Sequence, residues 1–164
     1  MSQTATATAA STATAPADGG PALFNPAPMM KLVEVIKPLT ASEETIAAAL
    51  EFAAACGKDA VQVEDRAGFI VNALLIPYIL SAVRRLESGF ATAEDIDQGM
   101  VRGAAHPMGP LALADLIGLD VCVDILEVLH RELGEDKYRP CPLLRKMVAA
   151  GRLGRKSGQG FYSY

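Results

Sequence analysis

Between Gly68 and Glu87 the chain carries a run that dictates where it must go: Gly-Phe-Ile-Val-Asn-Ala-Leu-Leu-Ile-Pro-Tyr-Ile-Leu-Ser-Ala-Val-Arg-Arg-Leu-Glu. As one helix it would be about 30 Å long at 1.5 Å per residue. Its most apolar part, Phe69 to Val83, is interrupted by Asn72 and Pro77 and closed by Arg84-Arg85. That falls short of the about 20 predominantly apolar residues a membrane span needs. A helix this apolar outside lipid must be covered by other protein. The run therefore predicts a buried core helix, kinked where Pro77 removes one backbone donor.

The rest of the sequence supplies the cover. At 51% hydrophobic residues, 5% aromatic and no Trp, the 164-residue chain can bury one core of aliphatic side chains and Ala. Lys31-Leu-Val-Glu-Val-Ile-Lys37 reads as extended chain, with Leu32, Glu34 and Ile36 on one face. Thr40 with Glu43 three residues on has the form of a capping box. It opens a helix striped by Ile46, Ala49, Leu50 and Ala53 and stopped at Gly57. Ala60 to Glu64 is a short extended piece. After the long core helix, Thr92 caps a helix to about Val101, and His106-Pro-Met-Gly-Pro110 breaks the chain. Short helices follow at Leu111–Ile117, stopped by Gly118, then from a cap at Asp120 to about Leu133, and from about Pro142 to Ala150. The glycine-rich end, residues 153–164, is not helical; Gly158 and Gly160 allow a tight turn that docks Phe161 and Tyr162. The architecture expected is a compact all-α helical bundle with a short extended N-terminal entry segment.

Charge and cysteines narrow the function. A net charge of -4, with no more than two adjacent Lys or Arg, argues against a nucleic-acid binder. Cys56, Cys122 and Cys141 are odd in number and form no C-x-x-C pair, which predicts reduced thiols and a cytoplasmic location. Residues 2–20 have neither a charged start nor an apolar core and are not a secretory signal. Residues 1–22 are expected to form a disordered low-complexity tail. The histidines His106 and His130 have no metal-ligand spacing, so no metal is expected. Gly154-Arg-Lys-Ser-Gly158 lacks the first glycine and the strand–helix context of a P-loop.

Six runs, in order, resemble the C-terminal domain of the NAD-dependent 3-hydroxyacyl-CoA (3-hydroxybutyryl-CoA) dehydrogenases. They are Phe24-Asn-Pro-Ala-Pro-Met-Met-Lys-Leu-Val-Glu-Val35, Gly68-Phe-Ile-Val-Asn-Ala-Leu-Leu75 and Glu94-Asp-Ile-Asp97, then His106-Pro-Met-Gly-Pro-Leu111, Asp115-Leu-Ile-Gly-Leu-Asp120 and Gly158-Gln-Gly-Phe-Tyr162. Together they span roughly 140 of the 164 residues. The resemblance implies a substrate-binding and dimerisation domain over residues 23–164, like the C-terminal domain of 6-phosphogluconate dehydrogenase, with no Rossmann domain present. It also implies the family reaction of fatty-acid or butanoate metabolism, (S)-3-hydroxyacyl-CoA + NAD to 3-oxoacyl-CoA + NADH.

In that family a histidine takes the 3-hydroxyl proton, a glutamate orients the imidazole, and an asparagine bonds the substrate. The resemblance carries the glutamate onto Glu34, the substrate asparagine onto Asn72, and cofactor contacts onto Asn25 and Lys156. The histidine's position is Ala22, and His106 lies in a different run. The Rossmann fingerprint G-x-G-x-x-G is absent from the sequence. The resemblance thus implies an acyl-CoA substrate, a homodimer and NAD as family cofactor, with none expected to bind tightly to this chain alone. It leaves room for a separate NAD-binding chain, and no membrane is involved. The chain is read as a truncated enzyme, inactive alone; the alternative is a non-catalytic helical dimerisation or acyl-CoA-binding module. Taken residue by residue, the competing readings are a solvent-facing strand carboxylate for Glu34, a satisfied core amide for Asn72 and a solvated tail residue for Lys156.

Overall fold

The computed structural model describes the backbone of residues 20–23 and the whole of residues 30–164. The tail expected over residues 1–22 falls largely outside the described residues, as does Asn25. The chain divides into two units, residues 1–73 and 74–164.

The first unit is built on a sheet. Strands β1 (Gly20–Leu23), β2 (Leu32–Lys37) and β3 (Asp59–Glu64) lie in that order. β1 runs antiparallel to β2, with Gly20 opposite Ile36 and Leu23 opposite Val33. β2 and β3 are parallel, in register from Leu32–Asp59 to Lys37–Glu64. Parallel neighbours need a crossover, and helix α1 (Glu43–Ala55) provides it. β2–α1–β3 is therefore a βαβ unit. This corrects the expectation of an all-α bundle whose extended segment is a mere entry: the two extended runs, separated in sequence by α1, pair with each other.

Alternation along β2 assigns its two faces. Val33 and Val35 are buried against Ile46 and Ala53 of α1, with Ala41, Ala49, Leu50 and Ala60 around them. Burying side chains of this size contributes about 1.5–3 kcal/mol each. Glu34 and Ile36 occupy the other face, and both are buried.

The cap of α1 is Ser42, whose hydroxyl accepts from the Thr45 amide at 3.1 Å, and not Thr40. A turn closed by the Ala41 amide on the Pro38 carbonyl holds the chain just before it. At the other end Gly57, at φ 70°, donates to Ala54 while Lys58 donates to Ala53, which completes a Schellman stop.

The apolar run begins its helix later than expected. α2 spans Val71–Glu87, because Gly68 (φ 78°) and Phe69 (φ 47°) are both left-handed and cannot belong to it.

The second unit is helical. The later part of α2 buries Ile76, Ile79, Leu80 and Val83. It is followed by α3 (Ala93–Gly103), capped by Thr92 as expected, and α4 (Pro110–Ile117), which ends at Gly118. Next come α5 (Leu119–Leu133), a 3-10 turn (Asp136–Tyr138), α6 (Pro142–Ala149) and a last 3-10 turn (Arg155–Ser157). Leu111, Leu119, Leu126, Leu129 and Leu144 are as deeply buried as Leu80 and Val83 of α2. Arg84 ties the loop after α5 in place through the Asp136 and Arg139 carbonyls, at 3.2 and 3.0 Å. Asp120 does not cap α5. That position is Gly118, and Asp120 sits in the first turn.

Candidate functional site

In the first unit the site gathers where β2 meets the start of α2. Glu34 is 2% exposed, and its Oε1 accepts hydrogen bonds from the backbone amides of Ile70 (2.8 Å) and Val71 (3.2 Å). The left-handed pair Gly68-Phe69 turns the chain so that both amides reach one carboxylate. The first amides of a helix have no partner within it and carry the positive end of its dipole, so an anion is well placed there. Glu34 is thus not a solvent-facing strand residue; backbone satisfies it and it anchors α2.

Asn72 follows directly, in the first turn of α2. It is half-buried, and its amide side chain has no hydrogen-bond partner among the described residues. The register of β1 places Ala22 opposite Glu34. The structure therefore brings together Glu34, the start of α2 with Asn72, and position 22.

A second constellation, in the second unit, is organised by two carboxylates. Asp97 on α3 is 8% exposed and accepts from the first amides of α4, Leu111 at 2.8 Å and Ala112 at 2.9 Å. It also accepts from the Tyr162 hydroxyl at 2.9 Å. Asp115 on α4 is 1% exposed and accepts from the amides of Phe161 and Tyr162, both at 2.9 Å, and from the Tyr164 hydroxyl at 3.1 Å. Glycines make the room: a Cβ at Gly160 would lie 1.9 Å from Asp115 Oδ1, and one at Gly109 would lie 2.2 Å from Asp97 Cβ.

Burial, then the bond to Asp97, pushes the Tyr162 phenol well above its ordinary value. Burial, then the Asp97 charge, raises Tyr78. The Tyr78 hydroxyl lies 3.1 Å from His106 Nδ1. Lys156 Nζ is 2.6 Å from Asp120 Oδ2, whereas Asp120 Oδ1 is buried with no partner. Burial, then the charges of Asp120 and Asp115, pushes the nearby Cys122 thiol up to about 12. Among the described residues no group of three or more His, Cys, Asp or Glu could hold a metal ion. No helix of the described residues is long and apolar enough to cross a membrane.

Residues 68–164 match the family model described as 3-hydroxyacyl-CoA dehydrogenase, C-terminal domain, and residues 7–66 match the 3-hydroxyacyl-CoA dehydrogenase, NAD binding domain. The chain belongs to the NAD-dependent 3-hydroxyacyl-CoA dehydrogenase family. The second match overturns the expectation that no part of a Rossmann domain is present: it covers β1, β2, α1 and β3, the parallel βαβ unit of the first unit. A probable 3-hydroxybutyryl-CoA dehydrogenase of Bacillus subtilis is 57% identical over 141 residues, covering 86% of this chain and 49% of the relative. The crystal structure of Mycobacterium tuberculosis FadB2 superposes with a TM-score of 0.87 at 51% identity, over 89% of this chain and 52% of that one. That of the Ralstonia eutropha (S)-3-hydroxybutyryl-CoA dehydrogenase gives 0.86 at 49%, again over 89% and 52%. The chain spans about half the length of the curated relatives it matches.

Within this dehydrogenase family frame, Asp97 and Asp115 went unassigned in the sequence reading although both stand in the motif runs. The available signal was an acid at the edge of a run beside an aliphatic residue: Asp97 closes its run after Ile96, and Asp115 opens its run before Leu116.

Proposed function

We propose that this chain contributes the substrate-side carboxylate and amide of a 3-hydroxybutyryl-CoA dehydrogenase. The reaction is (S)-3-hydroxyacyl-CoA + NAD+ to 3-oxoacyl-CoA + NADH + H+, in fatty-acid or butanoate metabolism. In it the 3-hydroxyl proton passes to an imidazole, and the hydride leaves C3 for the nicotinamide. Glu34 is the carboxylate placed to orient that imidazole, and Asn72 the amide that bonds the substrate.

The observation that supports this most is local. A buried carboxylate fixed by two amides stands at the start of the helix that carries an unpartnered asparagine one residue later. NAD would supply the hydride acceptor. Asn25 and Lys156 are the residues proposed to face it, and an ammonium one-third exposed suits an anionic group of a dinucleotide. The sequence holds no glycine cradle for the pyrophosphate, so tight binding of NAD by this chain alone is not proposed.

Alanine at the register partner of Glu34 favours low turnover by the chain alone. A missing general base costs about 10²–10⁴-fold in rate. The same observation favours a second reading, a helical dimerisation or acyl-CoA-binding module that pairs with itself or with a separate NAD-binding chain.

Acetoacetyl-CoA tests both. Calorimetric titration of the purified chain should show binding that Asn72→Ala weakens, with acetoacetyl-CoA-dependent NADH oxidation near background. Rapid oxidation would refute the missing-base argument. Absence of acyl-CoA binding, together with self-association in native mass spectrometry, would leave the dimerisation module.

A further inference from the structure

The last dozen residues form a strap closed on itself and fastened at two depths. Gly154 pairs with Gln159, and Gln159 with Ser163. The Ser157 hydroxyl accepts from the Leu153 amide at 2.8 Å and lies 2.9 Å from the Gln159 carbonyl. Gly154 lies so close to the Asp115 backbone that a Cβ would come within 2.3 Å of its carbonyl oxygen.

The deep fastening is the carboxylate pair. Asp115 takes two amides and the Tyr164 hydroxyl, and Asp97 takes the Tyr162 hydroxyl. Asp97 also holds the first amides of α4, so one carboxylate serves strap and helix together. The shallow fastening is Lys156, at the centre of the last 3-10 turn, on Asp120 in the first turn of α5. Asp120 has its other oxygen buried without a partner. Lys156 closes against Gly118, where a Cβ would meet Nζ at 3.2 Å.

The deep fastening rests on two buried carboxylates, Asp97 and Asp115, each holding several donors at once, although Tyr162 is only half-buried and Tyr164 is exposed. The shallow one is a single ion pair, about one-third exposed on both sides, at the end of a flexible side chain. Such a pair holds only if its backbone is already in place, since fixing a free lysine side chain costs rotamer entropy comparable to the pair's own contribution.

We propose that Tyr162 and Tyr164, docked on Asp97 and Asp115, are positioning residues that hold the strap so that Lys156 stays on Asp120. The functional meaning of Lys156 rests on the cofactor-facing role proposed above; the docking does not. The strap then delivers one cation to a defined place, and Asp120 keeps it there.

Competitive acetic-anhydride labelling of the whole chain, read by mass spectrometry, tests this with no need of turnover. The reference is Lys146, exposed and without an ion pair among the described residues. In the native chain Lys156 should label about two- to fivefold more slowly, the range an ion pair of this exposure supports. Tyr162→Phe/Tyr164→Phe should bring Lys156 to the Lys146 rate, with circular dichroism unchanged. Asp120→Asn should do the same while hydrogen exchange at Phe161 and Tyr162 stays slow, which separates the two fastenings. Equal labelling of Lys156 and Lys146 in the native chain overturns the proposal, as does a double variant whose Lys156 remains slow. If Lys156→Met leaves NAD affinity unchanged while the labelling pattern holds, the cofactor role of Lys156 fails and the dock stands.

Discussion

Removing the Glu34 carboxylate should free the start of α2, and the size of the effect follows from its bonds. Glu34→Ala deletes the acceptor of two backbone amides, at 2.8 and 3.2 Å, in a place too buried for water to substitute readily. Losing a side-chain cap of this kind costs about 1–2 kcal/mol. Losing a negative charge at a helix N-terminus adds about 0.5–1 kcal/mol. The relief of no longer burying a charge works against both, so the upper end is not reached. About 2 kcal/mol is the expected loss, or roughly 30-fold in the opening equilibrium of the helix start.

Global denaturation is the wrong assay, because a chain of two units need not unfold in one step. Native-state hydrogen exchange reads the site itself: the Ile70 and Val71 amides should exchange roughly 30-fold faster in the variant, with Val35 far less affected. Glu34→Gln keeps one carbonyl acceptor and should lose only about 1 kcal/mol. If the two amides exchange equally fast in wild type and Glu34→Ala, the carboxylate does not anchor α2.

Other outcomes are as specific. Gly160→Ala forces a Cβ to 1.9 Å from Asp115 Oδ1, so it should cost about 3 kcal/mol or undock the strap, seen as lost protection at Phe161 and Tyr162. Ellman's reagent at pH 8 should titrate one thiol per native chain, Cys56, and three in denaturant; Cys122, held up near 12, and the buried Cys141 stay protonated and covered. A fast second thiol would contradict their burial.

Tyr78, Tyr162 and Tyr164 are all raised, burial being the largest cause for each. A phenol raised on folding contributes stability that is intact below the unfolded value near 10 and is lost as pH climbs past it. Thermal stability should therefore fall steeply above pH 10, and Tyr162→Phe should flatten that limb while lowering stability at pH 7. An unchanged slope would remove Tyr162 as its source.

Much of this molecule is written locally. Thr92 announces α3, Gly57 and Gly118 stop their helices, and Pro142 opens α6, because caps and stops depend on a residue and its near neighbours. The parallel sheet was not legible in the same way. β2 and β3 are six residues each with α1 between them, and nothing inside either run says that the other is its partner. Their pairing is a tertiary choice, made when α1 packs on Val33 and Val35. Thr40 and Ser42 are both competent caps, and the Pro38 turn, not propensity, selects Ser42. The helix was expected from Gly68 and starts at Val71, because a left-handed Phe69 could not be anticipated from its side chain. Asp97 and Asp115 carried no role in the sequence, because their partners, Tyr162, Tyr164 and the amides of residues 161 and 162, come from the far end of the chain.

Glu34 also carries a consequence for how a sequence of this family is read. Its carboxylate is bonded to main chain on the neighbouring segment, so a glutamate at this position is required by the scaffold whether or not chemistry takes place beside it. Its presence is a mark of descent and of a correctly entered helix. It says nothing by itself about catalysis, because the two amide bonds account for its burial without any reaction beside it.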